Sequence, residues 1–184
     1  EAELAQRHGA LHGTLKLTVP TFLLRTAFMA ALGHFLQRWP GLNLQLSATD
    51  AAVNPIEVGA DVSIRVGALP DTRLVARKLY GAEIWLVATT EYLDRAGRPE
   101  RPDELVDHEC LRFTDDRAQN HWSLVDTEGR TVVFPVGGQL ESDSSSALVA
   151  ALNAGLGIGW LGRIEAAPSI RAGHLERVLP AYHA

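Results

Sequence analysis

Apolar and polar residues alternate along "GTLKLTV", residues 13 to 19. Leu15, Leu17 and Val19 share one face; Thr14, Lys16 and Thr18 share the other. A period of two predicts a strand with one buried side. After Pro20 the period lengthens. Phe22, Thr26, Met29, Phe35 and Trp39 fall near helical spacing in "FLLRTAFMAALGHFLQRWP". Thr21 is the expected N-cap, and Pro40 with Gly41 the stop. Alternation returns in "LNLQLSA", 42 to 48, which predicts a second strand. Asn54-Pro55 predicts a short helix with Pro55 at its first position. In "GADVSIRVG", 59 to 67, Val62, Ile64 and Val66 line one face of a third strand and Asp61, Ser63 and Arg65 the other. This strand and helix alternation predicts a parallel sheet with right-handed crossovers.

"TRLVARKLY" and "EIWLVATT" predict further strands, and "TTEYLDRAG" a short helix ending at Gly97. Another short helix is expected from Pro102-Asp103. "LRF", "HWSLVD" and "RTVVFPV" read as short strands, the last two joined by a hairpin turn at "TEG", 127 to 129. The opening architecture then recurs. "GGQLESDSSSALVAALNAGLGIGWL" reads as strand, polar cap, apolar helix, Gly155 and strand. Ser142, Asp143 and Ser144 all suit an N-cap. "RIEAAPSIRAG" predicts a short helix interrupted at Pro168, and "HLERVL" a last strand. Two sheets result, with the changeover near Tyr80-Gly81.

Composition agrees with a folded chain. Of 184 residues, 46% are hydrophobic and 21% charged, values of a globular protein. No apolar run approaches a membrane span. "EAELAQRHGALHG" has neither the basic flank nor the apolar core of a signal peptide. Cys110 is the only cysteine, which excludes a disulfide or a cysteine zinc site within the chain and suits a reducing cytoplasm. The formal net charge is −5, so the chain read alone should repel DNA.

Open α/β sheets bind ligands beyond the C-terminal ends of their strands. Two lobes, each with a strand running into a Ser/Thr-capped helix, would face a polar cleft suited to anions. Arg65 then has two readings. It is a bidentate clamp for a carboxylate, or it pairs structurally with Asp61 or another residue of its lobe. Thr21, Ser142, Asp143 and Ser144 carry the same ambiguity between contact and cap. Asp143 would repel an anion directly against it, which favours Ser144 and backbone N–H groups. Thr49 and Asp50 end the second strand, and Thr49 is the better contact. Val66 and Gly67 flank Arg65 at the turn. Phe22 and Phe113 lie near the expected site, but they and Trp160 read more readily as core. Cys110 after His108 and Glu109 suggests a nucleophile, against the simpler reading of a small buried apolar residue. The seven histidines show no close metal spacing, "GLGIGW" is no dinucleotide fingerprint, and there is no nucleophile elbow or P-loop. We find no catalytic set and no cofactor motif.

Six segments in order resemble the effector-binding domain of the LysR-type transcriptional regulators. They are "GTLKLTVP", "HFLQRWPGLNLQL", "GADVSIRVG", "ATTEYLDRAGRPERPDELVDHECLRF", "SDSSSALVAALNAGLGIGWL" and "IRAGHLERVLP". The resemblance implies an α/β fold of the type II periplasmic-binding-protein kind, two lobes around a central cleft. Residues 1–12 would be the tail of a linker helix, 13–80 lobe I and 81–184 lobe II. The family's C-terminal return to lobe I is not in this chain. Gly162 stands where many members have proline, which loosens that edge of the cleft.

The implied function is sensing of a small, acidic effector that controls the geometry of an oligomer. DNA is bound only through a winged helix-turn-helix domain outside this chain. Helices near 27 to 38 and 145 to 153 would pair head to tail in a homodimer, part of a tetramer at full length. A bacterial cytoplasmic regulator with no membrane partner follows. The competing function is a transporter's solute-binding protein, which the linker-like N-terminus and missing signal peptide argue against.

Overall fold

The computed structural model describes residues 11–51, 53–67, 74–81, 83–114 and 121–183. It divides into two units between Arg73 and Leu74. The expected linker tail lies almost wholly outside the described residues.

The first unit is a three-stranded parallel sheet in the order β2-β1-β3. β1 (Gly13–Val19) and β2 (Leu42–Ala48) pair over their full length. β3 shrinks to Val62–Ser63, although Asp61 N donates to Lys16 O and Ile64 N to Thr18 O on either side of it. The helical region is split. A 3₁₀ turn, Thr21–Arg25, precedes α1 (Phe28–Arg38). The residue at the N-cap of the turn is Pro20, so the expectation that Thr21 caps the long helix is corrected. Thr26 interrupts the path: its hydroxyl donates to Leu23 O at 2.8 Å and accepts from Phe28 N at 3.2 Å.

Two further expectations fail here. Asn54-Pro55 opens a single turn, tied by Asn54 Oδ1 accepting from Ile56 N, and no helix follows. The valines of the third strand are not a buried face: Val62 is 47% and Val66 54% exposed. β1 is flanked on both sides, so Leu17 and Val19 are covered. β3 is the edge strand, and among the described residues nothing continues the sheet beyond it. Leu74–Tyr80, expected as a strand, is irregular and exposed because neither unit's sheets take it in.

The second unit is built on β4 (Ile84–Thr89), which runs antiparallel to two later strands. Thr89 caps α2 (Thr90–Ala96) by accepting from Tyr92 N at 3.2 Å, and Gly97 at φ +92° ends it. A 3₁₀ segment, Pro102–Asp107, leads to β5 (Arg112–Phe113). β6 (His121–Val125) and β7 (Thr131–Pro135) form the expected hairpin. β8 (Glu141–Ser142) lies parallel to β5 and leads into α3 (Ser145–Asn153). β9 (Gly159–Gly162), α4 (Arg163–Arg171) and β10 (Leu175–Val178) complete the order β10-β4-β9. Where two sheets were expected, the described residues form four, of three, three, two and two strands. α4 is not interrupted at Pro168 but runs through it. The carbonyl a proline deprives is four residues back, at Ile164, and Ile164 lies at the exposed start of the helix.

β4 feeds a core on each face. Leu86 and Ala88 join Tyr92, Leu93, Leu105 and Ile158, while Val87 points the other way to Leu111, Leu152, Leu161 and Leu175. Each fully buried leucine contributes about 1.5–3 kcal/mol over an exposed one. Two glycines let the backbone of Glu109–Cys110 pass between them. A Cβ on Gly157 would lie 2.3 Å from Glu109 O, and one on Gly138 equally close to Cys110 O. Cys110 N donates to Gly137 O and Ile158 N to Glu109 O, both at 2.8 Å, which seals that junction.

Candidate functional site

The candidate residues fall into two sets, one on each unit. On the first, they gather at the C-terminal ends of the parallel strands. Thr49 N donates to Val19 O at 3.0 Å, and its hydroxyl accepts from Ala51 N. Thr21 turns inward upon the protein. Its N–H donates to Asp50 Oδ1 at 2.9 Å and its hydroxyl to Asp50 Oδ2 at 2.6 Å. Phe22 is half-buried in the 3₁₀ turn.

β3 delivers Arg65 one residue past the level of Val19. The register pairs Thr18 with Ser63 on the face opposite Leu17 and Val62, and Arg65 follows two residues past the end of β3. Thr18 is only 6% exposed. The structural reading of Arg65 required Asp61 or a neighbour as its counter-ion. Asp61 instead accepts from Lys16 N at 2.8 Å, and Arg65 forms no ion pair among the described residues. Arg65 Nη2 and Ser63 Oγ are both buried and make no hydrogen bond. Ser63 was missed in the sequence. Its signal was its place two residues before Arg65. Val66 is exposed beyond Arg65, and Gly67 at φ +94° makes the turn that a side chain would strain.

On the second unit, β5 and β8 bring Phe113 beside Ser142. Phe113 is 41% exposed, so its expected place in the core is corrected: it ends a two-residue edge strand. Ser142 Oγ accepts from Ser144 N at 3.1 Å, and Ser144 Oγ caps α3 by accepting from Ala147 N at 3.3 Å. Asp143 between them is exposed. Arg112 supports this corner through Gly138 O at 3.0 Å and Glu141 Oε2 at 3.3 Å.

The remaining chemistry is inert or structural. Cys110 is fully buried, and burial pushes its thiol up to about 12, with Glu109 adding and Arg112 opposing. Its thiolate, the reactive form, is therefore disfavoured at neutral pH. Tyr92 Oη accepts from Glu109 N at 3.0 Å and lies 3.1 Å from His108 Nδ1. Burial holds the His108 pKa below its ordinary value and raises that of Tyr92. Among the described residues no three His, Cys, Asp or Glu side chains gather to hold a metal, and no helix is long and apolar enough to cross a membrane. A depression on the second unit, lined by Thr90, Glu91, Asn153, Ser169 and His174, includes none of the candidate residues. Thr90 spends its N–H on His174 O and its hydroxyl on Gly173 O there.

A parallel β-α-β unit and a mixed α/β unit, with Ser/Thr-rich strand ends, define a ligand-binding domain of the periplasmic-binding-protein-like class. The LysR substrate binding domain family matches residues 8–184, and the chain belongs to that family. It is 34% identical over 176 residues to the uncharacterised HTH-type transcriptional regulator YhjC of Escherichia coli K12, covering 95% of this chain and 59% of that protein. The LysR-type regulator CrgA of Neisseria meningitidis superposes with a TM-score of 0.84 at 26% identity, over 99% of this chain and 61% of that one. The regulatory domain of a Vibrio vulnificus AphB variant superposes at 0.76 and 28%, over 94% and 86%. The chain spans a little over half the length of the curated relatives it matches. It is an effector-binding domain of the LysR type, and the relatives are transcription regulators, where the competing sequence reading had a transporter's binding protein.

Proposed function

We propose that this domain senses a small acidic effector and passes the result to DNA through a helix-turn-helix domain elsewhere in the full-length cytoplasmic regulator. Its relatives carry that architecture in their names. The observation that carries the acidic reading is Arg65. A half-buried guanidinium just past a strand's C-terminal end, with no ion pair to a carboxylate among the described residues, suits a ligand carboxylate taken bidentately. Thr49, Val66 and Gly67 border it on the first unit. Phe113, Ser142, Asp143 and Ser144 are the proposed contacts on the second, with Ser144 and the N–H groups of α3 the donors. Thr21 and Phe22 act through the loop they order.

The regulator works as a homodimer, and as a tetramer at full length. α1 has no buried residue, and Met29, Ala30 and Phe35 are exposed on it, which supports its use as a subunit contact. A thermal-shift screen of organic acids against this chain, repeated with Arg65→Ala and Arg65→Lys, tests the clamp. Hydrogen bonds to charged groups are worth on the order of 1.5–3 kcal/mol, so the wild type should bind its acid roughly tenfold to a hundredfold more tightly than either variant. Equal affinity in all three would refute it.

A further inference from the structure

The reading above leaves open which atoms hold the acid, and the two orphaned polar groups at the end of β3 answer it. We infer that the effector's anionic group is held by the Ser63 hydroxyl together with the Arg65 guanidinium, and not at Thr21. This rests on the effector reading just proposed and names its anion subsite.

Ser63 Oγ, at the end of β3, and Arg65 Nη2, two residues further along the chain, are each buried without a hydrogen bond. A buried polar group left unsatisfied is costly, and native proteins keep few of them. Two so close along the chain suit one shared partner. A guanidinium only donates, while a hydroxyl donates or accepts. The common partner is therefore an acceptor with several lone pairs, and an oxyanion makes the strongest such bonds.

The rival position is already filled. The backbone N–H and the hydroxyl of Thr21 both go to the carboxylate of Asp50. An incoming anion at Thr21 would have to displace a protein carboxylate or sit against its charge. Asp61, the carboxylate just before β3, is turned to Lys16 N, at the far end of the strand from Arg65. The C-terminal end of β3 is thus left with donors.

The test uses this chain with Ser63→Ala, Arg65→Lys and Thr21→Val, melted in chloride and then in acetate, benzoate, sulfate or phosphate at matched ionic strength. The organic and inorganic arms tell a carboxylate site from a general oxyanion site. In chloride, Ser63→Ala should melt at or above the wild type, because an orphaned hydroxyl has gone. Thr21→Val should melt lower, having lost Asp50. At least one oxyanion should raise the wild-type melting temperature in a saturable way. Ser63→Ala and Arg65→Lys should need at least tenfold more of it, and Thr21→Val clearly less than either. The inference is overturned if Thr21→Val loses the response while Ser63→Ala keeps it, or if no oxyanion stabilises the wild type. Oxyanion binding as described, with DNA control by the full-length regulator unaltered in Ser63→Ala and Arg65→Lys, would sink the effector reading and leave the anion subsite standing.

Discussion

The two units use their apolar residues in opposite ways. In the second, β4 is covered on both faces, and Leu105, Leu124, Leu152 and Ile158 are almost wholly enclosed. In the first, Leu17 and Val19 are the buried apolar residues among those described, while Leu24, Met29, Phe35, Val62 and Val66 meet solvent. The alternation in "GTLKLTV" and "DVSIRV" is as regular as anything in the second unit. A hydrophobic pattern therefore says that a face is suited to burial, and says nothing of what covers it.

Truncation tests this difference most severely. Leu152→Ala removes a side chain 1% exposed and should cost about 2–5 kcal/mol of stability, read from urea unfolding. Val62→Ala, on the open face, should cost no more than about 0.5 kcal/mol. Equal losses would mean that the first unit's face is covered in solution. One such cover is a second copy against α1. A charge at the exposed Ala30 enters a two-fold interface twice, so Ala30→Glu should raise the dimer dissociation constant at least tenfold, about 1.4 kcal/mol, by sedimentation. A wild type that sediments as a monomer at every concentration removes that cover from the comparison.

The third test is smaller. Burial holds the His108 pKa below its ordinary value of about 6.5, so the folded protein takes up this proton less readily than the unfolded chain. The contribution is whole above that value and is lost as pH falls through the window beneath it. His108→Gln should flatten the decline in melting temperature as pH falls below about 6.5. A slope identical to wild type would assign the decline to other groups. The mildest test leaves stability alone. Cys110 should resist iodoacetamide at pH 8 until the second unit opens, whereas a thiol introduced by Val62→Cys should react at once. Comparable rates would erase the contrast between the units.

What the sequence showed was local. β1 and β2 announced themselves by alternation, β4 by a short apolar run, and Ser144 by its place three residues before the N–H it caps. What it hid was distant. Thr21 has the right identity for a cap, but Asp50, 29 residues away, takes its donors. Asp61 stands near Arg65 in sequence, yet its carboxylate answers to Lys16, 45 residues away. β3 is short because its free edge has no ladder to extend. The requirement for Gly138 and Gly157 arises from Glu109 and Cys110, whose backbone lies against them. Of the candidate site, Arg65 was legible because a charged residue interrupts an apolar strand. The orphaned state of Ser63 was not, since satisfaction of a hydroxyl depends on all its neighbours at once.

β4 finds its partners late: Thr89 pairs with Leu175 and Leu86 with Trp160. His183 then exchanges two hydrogen bonds with Val125, at 2.7 and 3.0 Å, along the edge of the hairpin. On the ribosome, β1 and β2 can meet within some thirty residues of synthesis, but β4 must wait for about seventy to ninety more before either flank is available. The better-packed half of the molecule is therefore the later to close. Until Gly159–Gly162 emerges, β4 travels with both edges bare.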